Sequence, residues 1–175
     1  MIGVIGYGSL VNLAQHNQQE EQLVDTVPIK FRSYKRIFNQ RPAWRGKKTI
    51  HSAVLNVHYS EPDWSNAVCY CYRNFDFTDL DQRERGYSRM ALARQNITCY
   101  PGRSLPDLSA LYIYLGKTEH RDATLLPNPD YLQICLTGAK SWGEEFYRDF
   151  LTTTHVNNGI LLSEYINTDP MRMRQ

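Results

Sequence analysis

Two short stretches carry residue types that could do chemistry. The first is Gly6-Tyr7-Gly8-Ser9-Leu10, which follows an apolar run that starts at Ile2. Gly6 and Gly8 let the backbone approach a ligand closely. Successive free N–H groups in such a loop form a concavity that suits an anion. Gly3, Gly6 and Gly8 have the wrong spacing for the G-x-G-x-x-G dinucleotide loop, and no second strand ending in an acid follows at the required distance. Ser9 does not lie between two glycines, so the stretch is not a G-x-S-x-G nucleophile elbow either. A purely structural turn stands beside the anion-binding reading.

The second stretch is Leu80-Asp81-Gln82-Arg83-Glu84-Arg85-Gly86-Tyr87. Charges on a short helix usually mark a solvated face. Glu84 differs by position, because it falls in the last turn, where the helix dipole presents partial negative charge. A carboxylate is disfavoured there, and its pKa moves toward a value useful for proton transfer. Arg83 and Arg85 oppose that shift if their side chains turn the same way, and the sequence leaves the balance open.

Other candidates carry less. Lys30, Arg32, Lys35, Arg36, Arg41, Arg45, Lys47 and Lys48 interleave with Tyr34, Phe38 and Trp44. A net charge of +2 is too small to imply a nucleic-acid partner, so this stretch reads as a solvated strand face and turn. His16, His51, His58, His120 and His155 show no metal-ligand spacing, and no metal or cofactor is expected. Cys69 and Cys71 share one face of a strand and lack the second ligand pair of a zinc site; they read as buried or half-buried strand cysteines.

These residues need elements to hold them. Strands are predicted at Ile2 to Gly6, Val24 to Phe38 with a break at Pro28 as an option, Ile50 to His58, Ala67 to Tyr72, Met90 to Tyr100 and Ala110 to Leu115. Residues 59–65 contain Pro62 and Asp63 and read as a turn. A helix is predicted from Asp76 to Arg85, with Asp76 or Thr78 as its N-cap and Gly86 closing it at positive φ. A second starts at Asn128 with Pro129 in its first turn. A third starts at Ser141, where Ser141-Trp142-Gly143-Glu144 has the form of a capping box, with Trp142, Phe146 and Phe150 on one face. Strands first and helices last predict an α+β fold with a mostly antiparallel sheet or open barrel.

At 175 residues and 42% hydrophobic, the chain reads as a single globular domain over residues 1–175. No apolar run is long enough to span a bilayer. The N-terminal residues read as a first strand, not a signal peptide, which predicts a cytoplasmic setting with free thiols.

Taken together, the motifs resemble the gamma-glutamylcyclotransferase superfamily, of AIG2-like fold. A Y-G-S loop follows strand one (Tyr7-Gly8-Ser9). An L-D-x-x-E segment ends a short helix (Leu80-Asp81-Gln82-Arg83-Glu84). A late segment similar to P-S-P-x-Y and then G-A follows (Pro127-Asn128-Pro129-Asp130-Tyr131, Gly138-Ala139). The order matches from about residue 5 to about residue 150.

The resemblance implies a mixed, barrel-like sheet with a few flanking helices. It implies Glu84 as the catalytic residue, and Tyr7, Gly8, Ser9, Leu10, Tyr87 and Tyr131 as substrate-binding residues. The implied reaction converts a gamma-glutamyl peptide or amine, with glutathione among the candidates, to 5-oxoproline and a free amine or amino acid. The implied partner is that small molecule, with neither nucleic acid nor membrane. The best-known members read Y-G-S-N, where this chain has Leu10. Y-G-S-L with R-E-x-G-Y is more similar to the ChaC-type glutathione cyclotransferases, and the late segment to the gamma-glutamyl dipeptide enzymes. A non-catalytic binding or interaction module on the same fold is the alternative. Oligomeric state is not legible.

Overall fold

Strands carry the first two thirds of the architecture. A computed structural model describes residues 1–16, 19–42, 52–156 and 159–168. Its sheet is built from β1 (Ile2–Gly6), β2 (Leu23–Gln40), β3 (Ser52–Tyr72), β4 (Tyr87–Ala91), β5 (Ile97–Cys99), β6 (Ala110–Gly116), β7 (Leu126–Pro127), β8 (Thr154–Val156) and β9 (Ile160–Leu161). The spatial order is β4-β6-β1-β3-β2-β8-β9, with β5 added to β2 and β7 to β3. The β1–β3, β2–β3, β2–β5, β4–β6 and β8–β9 pairs are antiparallel. The β1–β6, β2–β8 and β3–β7 pairs are parallel. The helices are α1 (Thr78–Arg83), α2 (Pro129–Ser141), α3 (Glu144–Thr153) and α4 (Leu162–Thr168). The fold is therefore α+β with a mixed, mostly antiparallel sheet.

The sheet curls without closing. The Tyr87 hydroxyl on β4 donates to the Leu55 carbonyl on β3 at 2.8 Å, and Gln40 Nε2 at the end of β2 donates to the Gly86 carbonyl at 2.9 Å. Asn56 Oδ1 accepts from the Gly116 N–H at 2.7 Å. The far end of the β2–β3 hairpin thus folds over the β4–β6 edge. β1, flanked on both sides, is buried from Gly3 to Gly6, as a central strand requires. Val4, Ile5, Ile29, Phe31, Phe146 and Phe150 join one apolar core, and burying each large side chain contributes about 1.5–3 kcal/mol.

Several sequence expectations need correction. Residues 59–65 are not a turn. β3 runs on through them, and residues 60–63 have no partner on β2, whose register shifts between Arg32 and Tyr34. Pro62 sits in this bulge, where no ladder N–H is required. β2 is not broken at Pro28, which stays in register with Val68 and keeps its carbonyl bonded by the Tyr100 N–H. The run from Met90 to Tyr100 is split between β4 and β5 by a 3-10 turn at Arg94–Asn96.

Gly86 is not among the positive-φ residues. Ser141 does not cap α3; it ends α2, with its hydroxyl donating to Gly138, and Gly143 at φ 98° precedes α3 instead. Arg36 is not on a solvated face but fully buried. The expectations for Arg45, Lys47, Lys48, Trp44 and His51, and the first two residues of the strand predicted from Ile50, lie outside the described residues.

Asn128 does cap α2, accepting from the Tyr131 N–H at 2.9 Å with Pro129 at the helix start. Cys69 and Cys71 are free, buried and 3.9 Å apart through their sulfurs. No helix among the described residues is long and apolar enough to cross a membrane.

Candidate active site

After β1 the chain turns at once into a 3-10 turn, Ser9–Val11. Every carbonyl of residues 7–11 is taken by a donor from the protein. Arg36 Nη1 reaches the Tyr7 carbonyl at 3.4 Å. The Val11 and Asn12 N–H groups bond the Gly8 and Ser9 carbonyls at 3.0 Å each. The Tyr70 hydroxyl donates to the Leu10 carbonyl at 2.5 Å and Trp142 Nε1 to the Val11 carbonyl at 2.8 Å. The Ser9 N–H donates to the Tyr131 hydroxyl at 3.2 Å. Among the described residues the Gly8 and Leu10 N–H groups have no acceptor. The loop backbone is polarised: its carbonyls are consumed and N–H donors remain, the condition for holding an anion.

α2 supports this loop from below. A Cβ on Gly138 would collide with the backbone of Asn12, so glycine there lets the helix lie directly against the turn. The helix brings Tyr131, buried and edge-on to Phe38, up to the loop.

Glu84 arrives from the other side. It caps the C-terminus of α1, its N–H bonded to the Leu80 carbonyl at 2.8 Å, and its own carbonyl accepts from the Tyr87 N–H at 2.7 Å. The Gln40 side chain and the Lys117 N–H both bond the Gly86 carbonyl, pinning the turn that follows. The Glu84 side chain is 19% exposed, and Arg83 Nε approaches its Oε1 at 3.5 Å. Burial raises its pKa above the ordinary glutamate value, and the Arg83 charge only partly offsets that. Arg85 makes no ion pair with it among the described residues and is exposed. The balance left open by the sequence is thereby struck by desolvation.

A cleft of about 380 Å³, open mouth included, is lined by Gly6, Tyr7, Gly8, Ser9, Leu10 and Glu84, together with Ile5, Leu55, Tyr87, Tyr114 and Tyr131. All seven residues that the sequence singles out for the site therefore meet at one place, although they come from positions 7 to 131. Glu84 is the single carboxylate of this lining among the described residues, and no lysine, arginine or histidine joins it.

The phenols of Tyr7, Tyr87 and Tyr131 have pKa values pushed well up, first by burial, and so stay neutral donors. The Tyr7 hydroxyl donates to the Tyr114 carbonyl at 2.5 Å. Sequence reasoning missed Tyr114, Leu55 and the role of Arg36. Tyr114 and Leu55 sit inside β6 and β3, and no local motif marks them. The Tyr114 hydroxyl donates to Asp81 at 2.5 Å, which ties the cleft wall to α1.

No family model matches the sequence, and no curated protein matches it. Solved structures do. One described as a gamma-glutamyl cyclotransferase matches with a TM-score of 0.64 at 16% identity, covering 95% of this chain and 98% of its own. An uncharacterised protein from Homo sapiens matches with a TM-score of 0.66 at 18% identity, covering 94% and 97%. A gamma-glutamyl cyclotransferase from yeast described as specific to glutathione matches with a TM-score of 0.50 at 16% identity, covering 99% and 87%. The chain shares the gamma-glutamyl cyclotransferase fold; at such identities the likeness speaks for fold alone.

Proposed function

We propose that this protein is a gamma-glutamylcyclotransferase-type enzyme, which turns a gamma-glutamyl compound into 5-oxoproline and a free amine or amino acid. The observation that carries the reading is the pairing of a lone, half-buried carboxylate of raised pKa with a loop whose backbone carbonyls are all engaged, inside one cleft. The loop N–H groups of Gly8 and Leu10 take the glutamyl carboxylate. With that end fixed, the substrate's α-amine lies near its own γ-carbonyl. Attack is intramolecular, so positioning supplies much of the rate and no protein nucleophile is needed.

Glu84 does the proton work. Its carboxylate takes a proton as the α-nitrogen bonds to the γ-carbon. It returns that proton to the departing nitrogen as the old C–N bond breaks. The neutral phenols of Tyr7, Tyr87 and Tyr131 line the reacting region without adding charge. The test is 5-oxoproline release by the purified protein from gamma-glutamyl dipeptides, gamma-glutamyl amines and glutathione. No release from any of them sinks the proposal and favours a binding module.

Two smaller predictions attach to this site. Glu84 must be ionised to act, so kcat/KM rises with pH through its folded-state pKa, which lies above the ordinary glutamate value. Arg83→Gln removes the one cation that lowers that pKa. The acid limb of the pH profile then moves further up, and an unmoved limb separates Glu84 from the limb. Ser9→Ala leaves the loop N–H groups in place and is expected to cost several-fold in turnover at most. A loss exceeding that of Glu84→Gln would transfer the chemistry to the serine.

A further inference from the structure

Arg36 is a buried charge with no carboxylate to match it among the described residues. It is 0% exposed. Its Nε donates to Thr154 Oγ1 at 2.7 Å, its Nη2 to Asn66 Oδ1 at 2.7 Å and to Thr153 Oγ1 at 3.1 Å. Its Nη1 donates to the Asn66 carbonyl at 2.5 Å and to the Tyr7 carbonyl at 3.4 Å. The guanidinium lies over the Phe150 ring at 3.9 Å. It makes no ion pair among the described residues. Asp149, the one carboxylate felt from a distance, is already engaged by Lys30 at 2.8 Å and by the Tyr100 hydroxyl at 2.7 Å. Burial lowers the Arg36 pKa to about 9, which still leaves it cationic at neutral pH.

Taking a cation out of water is costly, and apolar residues of similar volume often serve stability as well or better. The carboxy end of α3, through Phe150 and Thr153, offers partial negative charge that makes the cation tolerable. A structural staple joining β2, β3, α3 and β8 explains the hydrogen bonds. It does not explain why a positive charge is needed to make them. The contact with the Tyr7 carbonyl places that charge directly behind the loop whose free N–H groups face an anion-binding task.

We propose that Arg36 is a positioning residue whose buried positive charge selects a carboxylate at the loop of residues 7–10. This rests on the reading that the loop seats the substrate carboxylate. Arg36 itself does not line the cleft. It turns the Tyr7 carbonyl inward, and its field acts through poorly screening protein, where a charge is felt more strongly than in water.

The test compares two ligands that share one ring, 5-oxoproline, which has a carboxylate, and 2-pyrrolidinone, which lacks it. Both are titrated by NMR into the wild type, Arg36→Met, Arg36→Lys and Asn66→Asp. Asn66→Asp keeps the guanidinium and sets a carboxylate of nearly the same shape against it, but gives up the Asn66 Nδ2 bonds to the Phe146 carbonyl and the Tyr100 hydroxyl. Its fold is therefore checked by thermal denaturation, and 2-pyrrolidinone binding separates lost charge from lost structure even if Arg36→Met fails to fold. The expected result is a loss of about tenfold or more in 5-oxoproline affinity in Arg36→Met and Asn66→Asp, partial retention in Arg36→Lys, and 2-pyrrolidinone binding unchanged in all.

Equal weakening of both ligands, no weakening of either, or a wild type that does not bind 5-oxoproline overturns the proposal. Turnover is scored separately. Charge-dependent 5-oxoproline binding without turnover of any gamma-glutamyl compound sinks the enzyme and leaves this inference standing. Turnover with a charge-independent ligand ratio does the reverse.

Discussion

Glu84→Gln lowers 5-oxoproline release by at least about a hundredfold, the lower bound expected when a general acid–base is removed, while KM changes little. Gln has nearly the same shape and still hydrogen-bonds, but it cannot accept a proton at neutral pH. No other carboxylate lines the cleft among the described residues to take its place, and the buried phenols hold their protons too tightly to act as bases.

The same substitution has a second, opposite readout. Burial raises the folded-state pKa of Glu84, so the folded protein holds that proton more tightly than the unfolded chain does. Ionising the group therefore costs stability, and the cost grows as pH rises from the unfolded pKa through the raised folded one. Glu84→Gln is expected to be at least as stable as wild type at neutral pH, with the difference fading below the ordinary glutamate pKa. Thermal denaturation at neutral and acid pH, alongside kcat and KM, checks both. An active Glu84→Gln would falsify the proton shuttle. A variant less stable at neutral than at acid pH, relative to wild type, removes the burial argument.

What the sequence conveys depends on how local the signal is. β1, the loop after it, α1 and the start of α2 are legible because each is written in adjacent residues: an apolar run into glycines, an acidic helix, an Asn-Pro cap. β3 is misread as two strands and a turn because Pro62 and Asp63 are local turn signals. The pairing with β2 overrides them, absorbing the extra residues as a bulge. The capping box at Ser141 fails for a similar reason. The four-residue spacing is present, but Ser141 already belongs to α2, and Gly143 makes the break.

The site shows the same division. Tyr7, Glu84 and Tyr131 lie in recognisable stretches, and the structure brings them into one cleft. Arg36 looks like one more charge in a basic run. Only the long-range contacts to Thr154 and to Asn66, far along the chain, reveal it as buried.

Gly8→Ala is the other change with a large expected effect, and its cause is contact. A Cβ at this position would run into the Tyr131 hydroxyl, with the Leu55 side chain 3.6 Å away. Tyr131 cannot swing clear, because it is buried on α2, packed edge-on against Phe38, and holds the Ser9 N–H. The loop must therefore give way, moving the N–H groups that seat the substrate.

A displacement of about 1 Å in a positioned site can cost about a hundredfold in rate, and overpacking a dense site costs about 1–3 kcal/mol of stability. Both losses are expected in Gly8→Ala. Tyr131→Phe alone removes the acceptor for the Ser9 N–H and is expected to cost a comparable amount of stability, about 1–3 kcal/mol, but less rate, because the loop is not pushed aside. In the double variant the clashing oxygen is gone, so the two losses are less than additive. A double-mutant cycle on melting temperature and on 5-oxoproline release measures that coupling. Strict additivity, or wild-type behaviour in Gly8→Ala, means that the Gly8–Tyr131 approach does not set the loop.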